Sequence, residues 1–356
     1  MPAEGVDSTM IPEDASKTSK TTIALDAMGG DFAPDEIVHG AIAVAGPSLH
    51  VILTGRRAEI ERCLAAAEDS IREYITVVDA PDVIGFDEDP VNAVRTKTGS
   101  SLVMACREVA EGRADGVISA GNTGAMLAAA LFNLKRIHGL KRPGLCAVLP
   151  TPGKPTLFID VGANSEVRPV HLLEFANMAS IFAQFVLDMK NPSVGLVSIG
   201  EESIKGNDLV LEAHRLMAAS PDLNFYGNIE GRDMVRNVVD VVVTDGFTGN
   251  VSLKLMESTS SLIVEEVKKA ASRGIVAKIG GLLLKKQLMA FKDSIDNEEH
   301  GGAYLLGVRG LAVVCHGNAS RRAIASALKY TARASEQRLI SKLEERIRTL
   351  GDVARL

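Results

Sequence analysis

The amino-acid sequence predicts an α/β fold, doubly wound around a mostly parallel sheet, with a helical excursion late in the chain. Three observations carry this expectation. Short runs of Val, Ile and Leu alternate with longer helical stretches. Most of these runs are continuously apolar, which is how strands covered on both faces read. The segments that follow them repeatedly contain Gly and Asn, the residues of tight turns at strand ends.

In chain order, strands are predicted over 22–26, 50–54, 75–79, 116–119, 145–149, 156–160, 194–198, 224–226, 239–244 and 311–315. Helical patterns follow many of them, for example over 35–45, 91–110, 126–137 and 171–187. The stretch 251–293 departs from the alternation: it is long, helical and without a strand, and is read as an excursion from the sheet. Residues 1–20 are polar and lack the apolar centre of a signal peptide, so a disordered extension is expected there. The α/β catalytic unit is assigned to 21–335, and 336–356 to a helical tail.

Composition excludes several function classes. Hydrophobic residues make up 46% of 356, enough for a sizeable core. Aromatics are 4%, Trp is absent and the net charge is −6, so neither stacking platforms nor a basic footprint for nucleic acid is present. Cys63, Cys106, Cys146 and Cys315 form no CxxC pair and are expected to be reduced, buried thiols of a cytoplasmic protein. The His and Cys residues show no metal-ligand spacing, and no metal or other cofactor is expected. No run is long and apolar enough to span a bilayer.

The chemistry is expected in the turns. The first strand ends in Asp26-Ala27-Met28-Gly29-Gly30-Asp31. Later strands lead into Ala120-Gly121-Asn122-Thr123-Gly124, Val161-Gly162-Ala163-Asn164, Lys205-Gly206-Asn207, Asp245-Gly246-Phe247-Thr248-Gly249-Asn250 and His316-Gly317-Asn318. In a parallel sheet all carboxyl ends share one rim, so these turns should converge. Gly allows close backbone approach, Asn offers donor and acceptor, and free N–H groups at helix starts attract anions. None of the turns is a dinucleotide fingerprint or a phosphate-binding P-loop.

These stretches closely resemble the PlsX family, the phosphate:acyl-ACP acyltransferases of bacterial phospholipid synthesis, over residues 23 to 333. The resemblance implies that acyl-ACP and inorganic phosphate give acyl phosphate and free carrier. It also implies a fold shared with phosphotransacetylases and isopropylmalate-type dehydrogenases, a homodimer, and peripheral membrane association, with a membrane acyltransferase as a further partner. By matching motif positions it implies catalytic roles for Lys205 and Asn250. His300, before Gly301-Gly302-Ala303, stands where the family often has Tyr.

Phosphate is anionic near neutral pH, and a pantetheine thiol, with pKa near 8.5, is a good leaving group. Attack on the thioester therefore needs mainly positioning and charge stabilisation. Lys205 is expected to meet phosphate or the developing oxyanion, and Asn250 and Thr248 to orient the reactants. Gly121, Asn122 and Thr123 supply anion-binding donors, and Asp160 and Asp245 orient Lys205 or the turn amides. Asp26, Gly29, Gly30, Asn164, Asn207 and Gly249 complete the expected substrate site, whereas His316 is expected to be structural. The 267–292 segment holds seven basic residues and no acid. Its Ile279, Leu282, Leu283 and Leu284 suit contact with anionic lipid, or else a dimer interface. Lys135, Arg136, Lys141 and Arg142 form a basic cluster suited to an acidic carrier. An acyl-CoA-dependent phosphotransacetylase, a dehydrogenase of the same architecture and a membrane-bound scaffold remain as rival readings.

Overall fold

A computed structural model describes residues 20–149, 151, 154–274, 277–280, 282–286 and 301–353. β1 (Thr21–Asp26) leads to α1 (Asp35–Ile42). β2 (Leu49–Gly55) leads to α2 (Arg57–Leu64) and α3 (Asp69–Arg72). β3 (Ile75–Asp79) is followed by α4 (Pro90–Thr96) and α5 (Ser101–Ala110), and β4 (Gly116–Ser119) by α6 (Thr123–Asn133). β5 (Gly144–Leu149) and β6 (Thr156–Ile159) precede α7 (Pro169–Val186), β7 (Val194–Val197) and α8 (Asp208–Ala218). β8 (Phe225–Ile229), β9 (Val241–Val243) and the 27-residue α9 (Gly246–Ser272) come next. β10 (Ala303–Leu306), β11 (Leu311–Val314), α10 (Arg321–Glu336) and α11 (Leu339–Val353) close the chain.

Among the described residues eleven strands form one sheet in the order β3-β2-β1-β4-β11-β10-β5-β6-β9-β7-β8. Most neighbours are parallel, as the continuous apolar runs predict. Both faces are covered, one core cluster lying under α1, α7 and α10 and the other under α5 and α6.

Two expectations are corrected. β10 pairs antiparallel with both β11 and β5, and β5 pairs antiparallel with β6. The strands β6, β9, β7 and β8 therefore run opposite to β1–β4 and β11, and the carboxyl ends fall on two rims instead of one. The reversal arises at the short link between β5 and β6, too short for the helical crossover that a parallel pair requires. The strand β10 is an addition to the predicted set. The helix expected over 91–110 is two helices, α4 and α5. α4 ends at Lys97, whose ammonium reaches back to the Val83 carbonyl (2.9 Å) and Glu88 (2.7 Å), and Gly99 and Ser100 separate the pair. All four cysteines are free and buried, as expected. α11 buries Leu339, Leu343 and Ile347.

The first and last helical layers are joined by charge. Glu36 of α1 accepts from the Arg321 backbone N–H (2.7 Å) and from its guanidinium (3.1 Å). These hydrogen bonds hold the Glu36 carboxyl below its ordinary pKa. A lowered carboxylate pKa contributes stability above the unfolded value of about 4.3 and loses it as pH falls through the folded one. Glu36→Gln should accordingly lower the thermal midpoint near neutral pH, and the gap to wild type should close in melts taken below about pH 4.

Candidate functional site

The predicted turns fold into two groups. At the first rim, where β1, β4 and β11 end, Asp26 is buried and accepts from the Ser119 hydroxyl (2.7 Å) and Met28 N–H (3.2 Å). Burial raises its pKa, against the pull of Ser101, Ser119 and the Met28 and Gly29 amides. Ser119 in turn accepts from Gly121 N–H (3.0 Å), and Gly29 packs against all three groups. The Asp31 N–H reaches the Gly317 carbonyl (2.7 Å), beside Gly30. Asn122 caps α6 by accepting from Ala125 N–H (3.1 Å), and its amide donates to the Gly85 and Phe86 carbonyls.

At the second rim, Asp160 follows β6 and is fully buried. It accepts from the N–H groups of Leu145 (3.0 Å), Gly162 (3.1 Å), Ala163 (2.9 Å) and Asn164 (2.9 Å), and from the Asn164 side-chain amide (2.7 Å). Burial raises the pKa of Asp160, and these donors, Asn164 foremost, oppose the shift. The Asn164 amide also donates to the Pro143 carbonyl (2.7 Å). Asp245 caps α9, accepting from the Thr248 N–H (2.9 Å) and hydroxyl (2.7 Å). Asn207 caps α8 by accepting from Val210 N–H (3.0 Å).

The acids and amides that sequence reasoning assigned to substrate are thus largely occupied in holding loops. Among the described residues neither Asp160 nor Asp245 bonds the Lys205 side chain, which corrects the expectation that they orient it. Asp160 does organise the turn amides, the other half of that expectation.

Asn250 differs. It lies in the first turns of α9, is exposed, and donates to the Val161 carbonyl (3.2 Å). It lines an open cavity of about 1390 Å³ that lies on one sheet face between α6 and α9. Gly162 lets Asn250 sit there: its φ is +137°, and a Cβ would stand 2.8 Å from the Asn250 amide nitrogen. From Gly162 and Asn250 the cavity follows β5 and β10, over Leu145, Ala147, Ala303 and Leu305, to Thr123, His316 and Asn318 at the first rim. The two rims therefore meet in one cavity although their strands point in opposite directions.

Lys205 shares the second rim with Asn250, on the loop between β7 and α8, but its side chain is exposed and outside the cavity lining. The lysines that do line it are Lys254, one helical turn beyond Asn250 on α9, and Lys268, near the end of the same helix. Sequence reasoning missed Lys254, although its i+4 spacing from Asn250 within a predicted helix was the available signal. His316, expected to be structural, is exposed and faces the same cavity.

The basic residues Lys135, Arg136, Lys141 and Arg142 are all exposed. They flank the start of β5, beside the Pro143 carbonyl that Asn164 grips, and so border the second rim. Ile279, Leu282, Leu283 and Leu284 are 57%, 72%, 75% and 54% exposed, beside exposed Lys278, Lys285 and Lys286. Leu288, Met289, Phe291, Lys292 and His300 lie outside the described residues. Among the described residues no helix is long and apolar enough to cross a membrane, and no cluster could hold a metal ion.

Residues 21–342 match the model of a family described as "Fatty acid synthesis protein". The chain is 45% identical over 326 residues to a phosphate acyltransferase from Heliobacterium modesticaldum, covering 91% of this chain and 97% of that protein. It is 43% identical over 329 residues to a phosphate acyltransferase from Thermosynechococcus vestitus, covering 92% and 95%. In three dimensions it is similar to the EutD phosphotransacetylase from Staphylococcus aureus, with TM-score 0.58 at 17% identity, covering 89% of this chain and 94% of that one. The last comparison bears out the predicted fold.

The close seat of α9 on β6 generates a test. Gly249 is buried, and a Cβ there would stand 1.9 Å from the Asp160 carbonyl oxygen, so the helix start or the Asp160 turn must shift. Gly249→Ala should cost about 3 kcal/mol in denaturant unfolding, the upper range for overpacking. Gly280→Ala, where a Cβ meets nothing within 4 Å, should be neutral or slightly stabilising.

Proposed function

That the chain belongs to the phosphate acyltransferase family is the premise from which we propose its reaction: an acyl group passes from acyl-ACP to inorganic phosphate, supplying acyl phosphate for phospholipid synthesis. A phosphate oxygen attacks the thioester carbonyl, the C–O bond forms and the C–S bond breaks. The proton of hydrogen phosphate ends on the carrier thiol, so acyl phosphate and free ACP result. No redox step or cofactor enters.

The observation that carries this reading is the continuity of the cavity. Polar groups at both rims, Asn250 at one and Thr123 and His316 at the other, are joined by the apolar floor of Leu145, Ala147, Ala303 and Leu305. A fatty acyl thioester needs such a combination, because its chain seeks apolar surface while its carbonyl needs donors. We assign Asn250 to orienting the carbonyl and Lys205, from the same rim, to the incoming phosphate. The exposed basic cluster Lys135, Arg136, Lys141 and Arg142 beside that rim is the surface assigned to the acidic carrier.

An apolar strip of α9 supports a homodimer: Val251, Leu255 and Leu262 are 53%, 66% and 57% exposed, more than a helix ordinarily shows to water. Ile279, Leu282, Leu283 and Leu284 with their neighbouring lysines support peripheral attachment of a cytoplasmic protein to anionic lipid. A membrane acyltransferase that consumes the acyl phosphate is a fitting partner for an enzyme so placed.

Purified protein incubated with long-chain acyl-ACP and phosphate should form acyl phosphate with stoichiometric release of ACP thiol. Lys205→Ala and Asn250→Ala should each lower turnover by about 10²-fold or more while leaving the unfolding midpoint in place. Turnover on acetyl-CoA but not on acyl-ACP would favour the phosphotransacetylase reading instead. In flotation with anionic vesicles, Leu283→Glu with Leu284→Glu should abolish binding; undiminished binding would remove the lipid assignment.

A further inference from the structure

Lys205 is exposed, so its place is fixed by the backbone that carries it. That backbone forms a tight turn in the loop between β7 and α8, where the Lys205 N–H donates to the Glu202 carbonyl at 3.0 Å. One buried amide spans this turn. Asn228, on β8 and 2% exposed, donates from its side-chain nitrogen to the Glu202 carbonyl at 2.9 Å and to the Lys205 carbonyl at 3.4 Å. The Ser198 hydroxyl also donates to the Lys205 carbonyl, at 3.0 Å. Carbonyls only accept, so the Asn228 nitrogen must face the loop and its oxygen must face away. That oxygen lies 3.0 Å from Nδ1 of His214 on α8, which therefore carries a proton and donates. Nδ1 holds that proton in the imidazolium and in the matching neutral tautomer alike. The His214 ring is itself seated edge-on against Phe225 of β8, with ring centres 5.1 Å apart.

We propose that Asn228 is a positioning residue of the phosphate site: through the Glu202 and Lys205 carbonyls it fixes where the Lys205 ammonium can reach. This rests on the acyl-transfer reading given above and on the part assigned there to Lys205. Three observations favour it over a loop that is merely tied down. Apolar packing does not hold the loop, since Ile199 and Ile204 are 82% and 80% exposed. The Arg232–Glu201 pair at 3.2 Å joins two exposed side chains and contributes little. The grip also falls on Lys205 itself, whose N–H and carbonyl are both engaged. Finally, the root of the Lys205 side chain is seated on Gly200, where a Cβ would stand 2.9 Å from the Lys205 Cγ. A lysine stem is long and flexible. Holding its backbone and first bonds narrows the region the ammonium explores, which is what placing phosphate against a thioester requires.

With long-chain acyl-ACP and phosphate both varied, Asn228→Ala should lower kcat/KM for phosphate about tenfold, with KM for acyl-ACP unchanged. His214→Ala, which leaves the Asn228 oxygen without its donor, should lower it about threefold. A double-mutant cycle separates positioning from general loosening. Asn228→Ala added to Lys205→Ala should cost less than about twofold, because Asn228 acts through a side chain no longer present. Unfolding midpoints are measured alongside, and His214→Ala takes the place of Asn228→Ala in the cycle if that variant does not fold. Losses that multiply in the cycle, or wild-type kcat/KM for phosphate in the single variant, would overturn the proposal and leave the acyl-transfer reading intact. A loss confined to a raised KM for acyl-ACP would do the same. Full turnover in Lys205→Ala would overturn the proposal together with the part assigned to Lys205. A wild-type protein that forms no acyl phosphate would overturn the whole reading.

Discussion

A single carboxylate, that of Asp160, gathers four backbone N–H groups and one side-chain amide around itself in the interior. Those donors come from the start of β5 and from the turn after β6, so one residue joins strand, turn and the Pro143 segment held by Asn164. A buried carboxylate is costly unless it is hydrogen-bonded, and here its two oxygens are fully engaged. Its own backbone carbonyl then sets how near α9 can come, and only the hydrogen of Gly249 fits against it. The position of Asn250, and with it of Lys254, follows from this contact, since both are carried by the same helix start.

The antiparallel strands β10 and β5 at the centre of the sheet have a functional consequence. They reverse the direction of everything beyond β5, so that the turns rich in Gly and Asn divide between two rims. The two groups of turns, at opposite ends of a sheet face, are connected by one element. α9 rises from the second rim toward His316 at the first, with β5 and β10 as the floor between. Small residues at Ala147 and Ala303 leave that floor low, and the cavity is the space that results.

α9 is unusual for a long helix in that only Gly246 and Gly249 are buried along its length. One side carries Asn250, Lys254 and Glu257 toward the cavity, and an adjoining side exposes Val251 and Leu255. A helix with so little of its own surface covered gains little from packing within the chain. This is the physical ground for reading its apolar strip as a contact with a second copy, and the apolar residues beyond it as a contact with lipid.

Much of the fold was legible because burial on both faces leaves continuous Val, Ile and Leu runs, and because helix caps such as Asn122, Asn207 and Asp245 have local sequence signatures. In the structure these three are caps, and a side chain cannot advertise in sequence whether its partner is a backbone amide or a ligand. The sequence by itself determined the family motifs, the apolar strands and the turns that end them. Only the tertiary structure decided strand direction, the β10 pairing and the meeting of Lys254 with His316, which lie 62 residues apart in sequence. Each of these depends on contacts between distant segments, and no local pattern of residues encodes the direction in which two strands pass or the helix face that a remote turn will touch.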